Sequence, residues 1–192
     1  SPRHGVYTVG NSDRGSSKYR KLIPIKNTTE LADEFVTIAE ALKPSGYVTA
    51  TMGKWHLGKD PATQGFEVNI AGREWGSPSG GGYHSPYKYP NLENKEKGEY
   101  LTDRLGVEAC KFIETNKDKP FFLYLTHYAV HTPIQAKPEL KKKYQAKKPT
   151  ERHKNAAYAA MIESMDDSVG AVLATLDRLE LADDTLVIFF SD

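Results

Sequence analysis

The chain has 192 residues, 39% of them hydrophobic and 27% charged, a composition that supports a real core and excludes a disordered chain. Lys and Arg number 26 against 25 Asp and Glu, so a net charge of +1 gives no global pull toward nucleic acid or a membrane surface. No apolar run approaches the ~20 residues of a bilayer span, and a lone cysteine, Cys110, excludes an internal disulfide or a thiolate zinc cluster and reads as a packed thiol.

Residues up to about Asn27 carry scattered glycines and the basic residues Lys18, Arg20 and Lys21, and read as loop. Thr28 or Thr29 then caps a predicted helix with Leu31, Phe35, Ile38, Ala39 and Leu42 on one face, stopped by Pro44 and Gly46. Tyr47 to Met52, rich in β-branched residues, predicts a strand that runs into Gly53-Lys54-Trp55-His56-Leu57-Gly58. Residues 59–100 hold many Gly and Pro and predict a surface excursion facing substrate. Thr102 is the expected cap of a second helix reaching about Asn116, with Leu105, Ala109, Phe112 and Ile113 inward. Pro120 opens a strand, Phe121 to Leu125, that leads into Thr126-His127-Tyr128-Ala129-Val130-His131-Thr132-Pro133. Ile162, Met165, Val169, Val172, Leu173 and Leu176 mark a third amphipathic helix, and a last strand is predicted from Thr185 to Phe190, ahead of Ser191-Asp192.

Helices alternating with strands predict an α/β fold with a mostly parallel sheet flanked by helices. In such sheets ligands bind beyond the carboxyl ends of the strands. The three strands would therefore deliver Lys54, His56, His131 and Asp192 to one rim, a site for an anion and a cation together.

The string Gly53 to Gly58 sets two potential cations two positions apart, between glycines that let a ligand approach the backbone. It resembles a recurrent signature of the sulfatase family, in the alkaline-phosphatase-like superfamily. Phe121 to Leu125 with His131-Thr132-Pro133 is similar to that family's second histidine loop, and Leu186 to Asp192 to its metal strand, all in family order. Tyr47 to Phe66 and Gly98 to Asp103 most resemble bacterial enzymes acting on sulfated carbohydrates. The resemblance implies an alkaline-phosphatase-like fold and hydrolysis of a sulfate ester on a sulfated carbohydrate or aryl sulfate. It implies that Lys54 contacts the sulfate and the nucleophile, and that His56 orients or deprotonates the nucleophile. His131 would bind the sulfate or help the leaving oxygen depart, and Asp192 would be a ligand of Ca²⁺ or Mg²⁺. Fixed cations and a hard divalent ion suit a reaction that gathers charge on sulfuryl oxygens. Family habit places such an enzyme in the periplasm or outside the cell.

The family's nucleophile is a formylglycine made from the Cys of a Cys-x-Pro-Ser-Arg motif, which these residues lack; Ser1 to Gly5 resembles the segment just downstream of it. Residues 1–192 are thus expected to be the central part of one sulfatase catalytic domain, its nucleophile upstream, and inactive by themselves. Two other readings stay open. One is a phosphomonoester or phosphodiester hydrolase of the same superfamily, and the other a noncatalytic binder of sulfated glycans. The binder would use a basic block of Lys137, Lys141, Lys142, Lys143, Lys147, Lys148, Arg152 and Lys154, whose plain alternative is a solvated flap. Arg73, Trp75, Tyr83, His84, Tyr87 and Lys88 could supply sugar stacking and selectivity. His127 reads as structural, a donor closing the strand end, and Asp166-Asp167 as solvated or helix-packing carboxylates.

Overall fold

The computed structural model describes residues 3–6, 21 and 28–190. Its sheet has three strands in the order β2-β1-β3: β1 (Val48–Gly53) at the centre, β2 (Val68–Ile70) and β3 (Phe121–Thr126) at the edges, both parallel to it. Gly53 pairs with Thr126, so the carboxyl ends of β1 and β3 finish level. Helices α1 (Ile38–Leu42), α2 (Leu101–Thr115), α3 (Pro138–Gln145) and α4 (Ala156–Arg178) accompany the sheet. This is the parallel α/β arrangement that the alternating pattern predicts.

Successive side chains of a strand face opposite ways. Ala50 and Met52 therefore join Leu101, Leu105, Ala109 and Ile113 of α2 and Met161 and Leu176 of α4 in the main core. Thr49 and Thr51, also fully buried, face the other side. There the Thr49 hydroxyl donates to the Gly65 carbonyl (2.7 Å) and accepts from the Glu67 N–H (3.1 Å), which fixes the chain between β1 and β2.

Several elements depart from the sequence reading. α1 starts at a Thr37 cap rather than at Thr28 or Thr29. Thr37 and Glu40 form a reciprocal capping box, Thr37 Oγ1 accepting the Glu40 N–H and Glu40 Oε2 accepting the Thr37 N–H, and the paired donors outweigh an apolar repeat that began earlier. Ile38 is consequently exposed. The stop is as predicted, a 3-10 turn over Lys43–Ser45 closed by Gly46 in the left-handed region. α2 is capped at Tyr100, not Thr102, which lies buried in the first turn. Tyr100 is anchored by its hydroxyl to the Gln135 carbonyl (2.9 Å) and by its ring against Tyr83, and this packing overrides a hydroxyl cap.

The 59–100 segment is not a surface excursion. It contains β2, and its Tyr83, Tyr87, Tyr89 and Tyr100 are core residues. Burial works because each phenol finds an acceptor, Tyr87 on Glu99 (2.7 Å) and Tyr89 on the Gly82 carbonyl (3.0 Å) among them. Buried Arg104 ties the segment to α2 by donating to Glu108, to Glu99 and to the Glu93 carbonyl.

α4 turns only part of its predicted apolar face inward: Leu176 is buried and Val172 packs against the core. Met161, Ser164, Ser168, Thr175 and Leu176 are buried, whereas Ile162 and Leu173 stand 42% and 41% exposed. Where α4 crosses α2 most closely, a Cβ on Gly106 would overlap the Ser168 hydroxyl, so small residues face the neighbour at that point. The predicted last strand is absent. Among the described residues no strand pairs with 185–190, and Leu186 to Phe190 are 54–85% exposed, because an apolar run becomes a strand only beside a ladder partner.

Candidate active site

Gly53 ends β1 at φ +111°, where a Cβ would collide with the Thr126 carbonyl. That close approach stitches the two strand ends together: the Lys54 N–H donates to the Thr126 carbonyl (2.7 Å), and the Thr126 hydroxyl donates to the Lys54 carbonyl (2.6 Å). Trp55 points away from the rim, buried with Ala39 and edge-on to Phe66 at 5.7 Å. The alternation leaves Lys54 and His56 on the rim side. The Lys54 ammonium has no ion-pair partner among the described residues.

His56 sits in the left-handed region at φ +63°, its N–H donating to the Arg73 carbonyl (3.0 Å). Its imidazole lies directly over Gly76, where any Cβ would overlap the ring, and its Nδ1 is buried without a partner among the described residues. Burial first, then the charges of Lys54 and His131, push its pKa below the ordinary histidine value. His56 is therefore neutral at pH 7, and the same charges show that Lys54, His56 and His131 share one electrostatic neighbourhood.

His131 leaves the loop after β3. Its N–H donates to the Tyr128 carbonyl (2.9 Å), and the Tyr83 hydroxyl reaches both the Tyr128 (2.6 Å) and His131 (2.9 Å) carbonyls. Tyr128 in turn donates to the Ala71 carbonyl (2.9 Å), and Gln135 Oε1 accepts the Tyr83 N–H (3.0 Å). The His131 ring itself is exposed, with Nδ1–H donating to the Thr132 carbonyl (2.7 Å), which leaves Nε2 free to meet a ligand.

His127, read as a structural donor closing the strand end, directly follows β3 and packs against α4: its Nε2 bonds the Ser168 hydroxyl (3.1 Å), and burial lowers its pKa to about 4. Tyr83 and Tyr87 are buried and cannot stack on a sugar, a correction to the sequence reading. Arg73 and Trp75 remain at the edge, the guanidinium 4.3 Å from the indole centroid and bonded to Glu74 (2.7 Å). His84 lines a separate open cleft of about 720 Å³ with Lys97, Asp103 and Lys137. Asp166 and Asp167 are exposed on α4, as solvated carboxylates would be. Asp192, the expected metal ligand, lies outside the described residues. Among the described residues no group of three or more His, Cys, Asp or Glu could hold a metal. Those residues therefore do not by themselves make a cation site.

The Tyr83, Tyr128 and Gln135 brace was missed in the sequence because its bonds join side chains to backbone groups 45 to 57 positions away, which no local pattern marks. Thr126 was the one available signal, a hydroxyl at the end of an otherwise apolar strand.

A profile of the sulfatase family matches residues 4–192. This chain belongs to the sulfatase family. A protein named "Sulfatase" from Formosa agariphila is 30% identical across 99% of this chain and 44% of its own length. N-acetylgalactosamine-6-sulfatase of Homo sapiens is also 30% identical, over 99% of this chain and 37% of that protein. The crystal structure of Ps i-CgsB in complex with k-i-k-neocarrahexaose superposes with a TM-score of 0.61 at 28% identity, over 83% of this chain and 40% of the other. The sulfatase-family chain thus spans less than half the length of the relatives it matches. The fold also superposes on that of yidJ from Bacteroides fragilis, with a TM-score of 0.64 at 20% identity over 80% of this chain and 42% of the other.

Proposed function

We propose that the protein containing this chain hydrolyses sulfate esters on a sulfated carbohydrate. One observation supports the reading: Lys54, His56 and His131 stand in the loops that leave the level carboxyl ends of β1 and β3, and the charges of Lys54 and His131 act on buried His56. Such a cluster suits a sulfate, whose nonbridging oxygens gain charge as the ester bond breaks. In this reading the Lys54 ammonium holds a sulfate oxygen and the nucleophile. Neutral His56 accepts the nucleophile's proton or orients its hydroxyl, and His131 Nε2 binds the sulfate or protects the leaving oxygen with a proton. The relatives named for sulfatase activity and the carrahexaose complex of Ps i-CgsB support a sugar sulfate as substrate. A formylglycine nucleophile from upstream and a Ca²⁺ or Mg²⁺ ion reached by Asp192 complete the proposal, together with a periplasmic or extracellular location. No described helix is long and apolar enough to cross a membrane.

The test is a pair of assays on the full-length protein with 4-nitrophenyl sulfate and 4-nitrophenyl phosphate. Sulfate should be the preferred substrate, and Lys54→Ala should lower kcat/KM by at least ~100-fold, the scale of a positioned charge acting on the transition state. Preference for the phosphate would favour a phosphoester hydrolase. Binding of a sulfated glycan without turnover, surviving both Lys54→Ala and His56→Ala, would favour a noncatalytic binder.

A further inference from the structure

We propose that the basic face of α3 and the loop that follows it is a docking surface for a sulfated polysaccharide chain, engaging polymer beyond the sugar at the Lys54 and His131 site. This deepens the proposed function and rests on its choice of a sulfated carbohydrate.

The block divides into two kinds of cation. Lys137 and Lys143 are committed to the protein, Lys137 bonding Asp103 (2.8 Å) and Lys143 bonding Glu163 (2.6 Å). Lys141, Lys142, Lys147, Lys148, Arg152 and Lys154 are exposed and have no ion-pair partner among the described residues. Glu139 and Glu151 are the carboxylates within the same stretch, which leaves it strongly positive although the whole chain is nearly neutral. Lys142 lies across the helix from half-buried Leu140 and Tyr144, and Lys147 stands 4.5 Å from the Tyr144 ring centroid; α3 thus carries Lys141 and Lys142, and the loop after it carries the other four.

Position relative to the site is set by α4. Glu163 of α4 holds Lys143, and Ser168 of α4 holds His127 at the end of β3. The two anchor points are five positions apart, about 7.5 Å along a helix axis, which keeps the basic helix at the end of the sheet where His131 emerges. The chain from His131 to Lys137 can reach at most about 20 Å even when extended. A linear polymer of sulfated rings is long enough to occupy both places. A repeating anion also exploits several unpaired lysines at once, whereas a single sulfate monoester gains little from solvated charges at this distance.

The experiment uses the full-length protein and the variant Lys141→Ala/Lys142→Ala/Lys147→Ala/Lys148→Ala, whose four positions are exposed. The probes are fluorescein-labelled dextran sulfate, unlabelled neutral dextran, poly-glutamate of matched length, and 4-nitrophenyl sulfate. The variant should bind dextran sulfate at least about 10-fold more weakly at low salt, with a shallower dependence on salt concentration, because screening acts on the charges removed. Turnover of 4-nitrophenyl sulfate should stay within about two-fold, since no altered residue belongs to the Lys54 and His131 site. Unchanged dextran sulfate affinity in the variant would overturn the proposal. So would equally tight binding of poly-glutamate by the unaltered protein, which would make the surface a generic cationic one. Loss of dextran sulfate binding in a protein that turns over no aryl sulfate would uphold the docking surface while removing the proposed hydrolysis.

Discussion

At the scale of single residues, the site depends on groups that never touch a ligand. Tyr83 is the clearest, because its one hydroxyl serves the carbonyls of both Tyr128 and His131. Tyr83→Phe keeps the ring but takes the hydroxyl from the His131 carbonyl, while the Tyr128 carbonyl keeps only the His131 N–H, a loss of about 1–3 kcal/mol. It should lower the urea midpoint and, by loosening the His131 loop, reduce kcat/KM for aryl sulfate; unchanged values of both would show that the loop is held by other means. His127 supplies a pH dependence of stability. Unfolded, it takes up a proton near pH 6.5, whereas in the folded chain burial holds its pKa to about 4. Its contribution is thus complete above pH 6.5 and is lost as the pH falls toward 4, on the order of 3 kcal/mol in all. His56, also lowered, acts in the same direction. His127→Gln should flatten the fall of Tm below pH 6.5, and an unaltered acid slope would count against this account.

At the scale of elements, the α2–α4 crossing sets a conflict between propensity and packing. Gly106→Ala gains about 1 kcal/mol of helix propensity. It also drives a methyl into the Ser168 hydroxyl and disturbs that hydroxyl's bond to His127. Overpacking of this kind costs about 1–3 kcal/mol, so the net effect should be destabilising. A guanidinium titration would check it, with Gly106→Ala/Ser168→Ala recovering part of the loss; a more stable Gly106→Ala would refute the tight crossing. The same crossing explains the limits of reading from sequence. β1, β3 and the inward face of α2 were legible because Thr49, Met52, Leu105 and Phe112 follow the periods of strand and helix. The inward face of α4 was legible only in part: Val172 and Leu176 pack inward as their period predicts, whereas Ile162 and Leu173 are exposed and the contact selects serines. Capping at Thr37 and Tyr100 was set by partners at Glu40 and Gln135. The placement of Lys54, His56 and His131 just beyond β1 and β3 was legible because a strand end followed by polar residues marks a rim in a parallel sheet, whereas the contacts of Gly76 and Tyr83 arise only in the folded chain.

At the scale of the whole molecule, the glycine-rich 59–100 segment links the parts. It supplies β2, the support beneath His56, the brace on His131 and the tyrosine layer of the core. Glycine and proline there signalled turns correctly, but they mark tight packing between elements and not an excursion into solvent. The exposed run from Leu186 to Phe190 has a more practical consequence. Five consecutive uncovered apolar residues without proline or charge form the kind of segment that recruits copies of itself into β-stacked assemblies. Preparations of the 192-residue chain alone should therefore scatter light increasingly with concentration and bind thioflavin T on incubation. Val187→Lys/Phe189→Lys should keep such solutions clear, and a persistent monomer without those changes would show that the run is shielded. Handling, shelf life and expression yield of this chain would then be governed by five side chains remote from its chemistry.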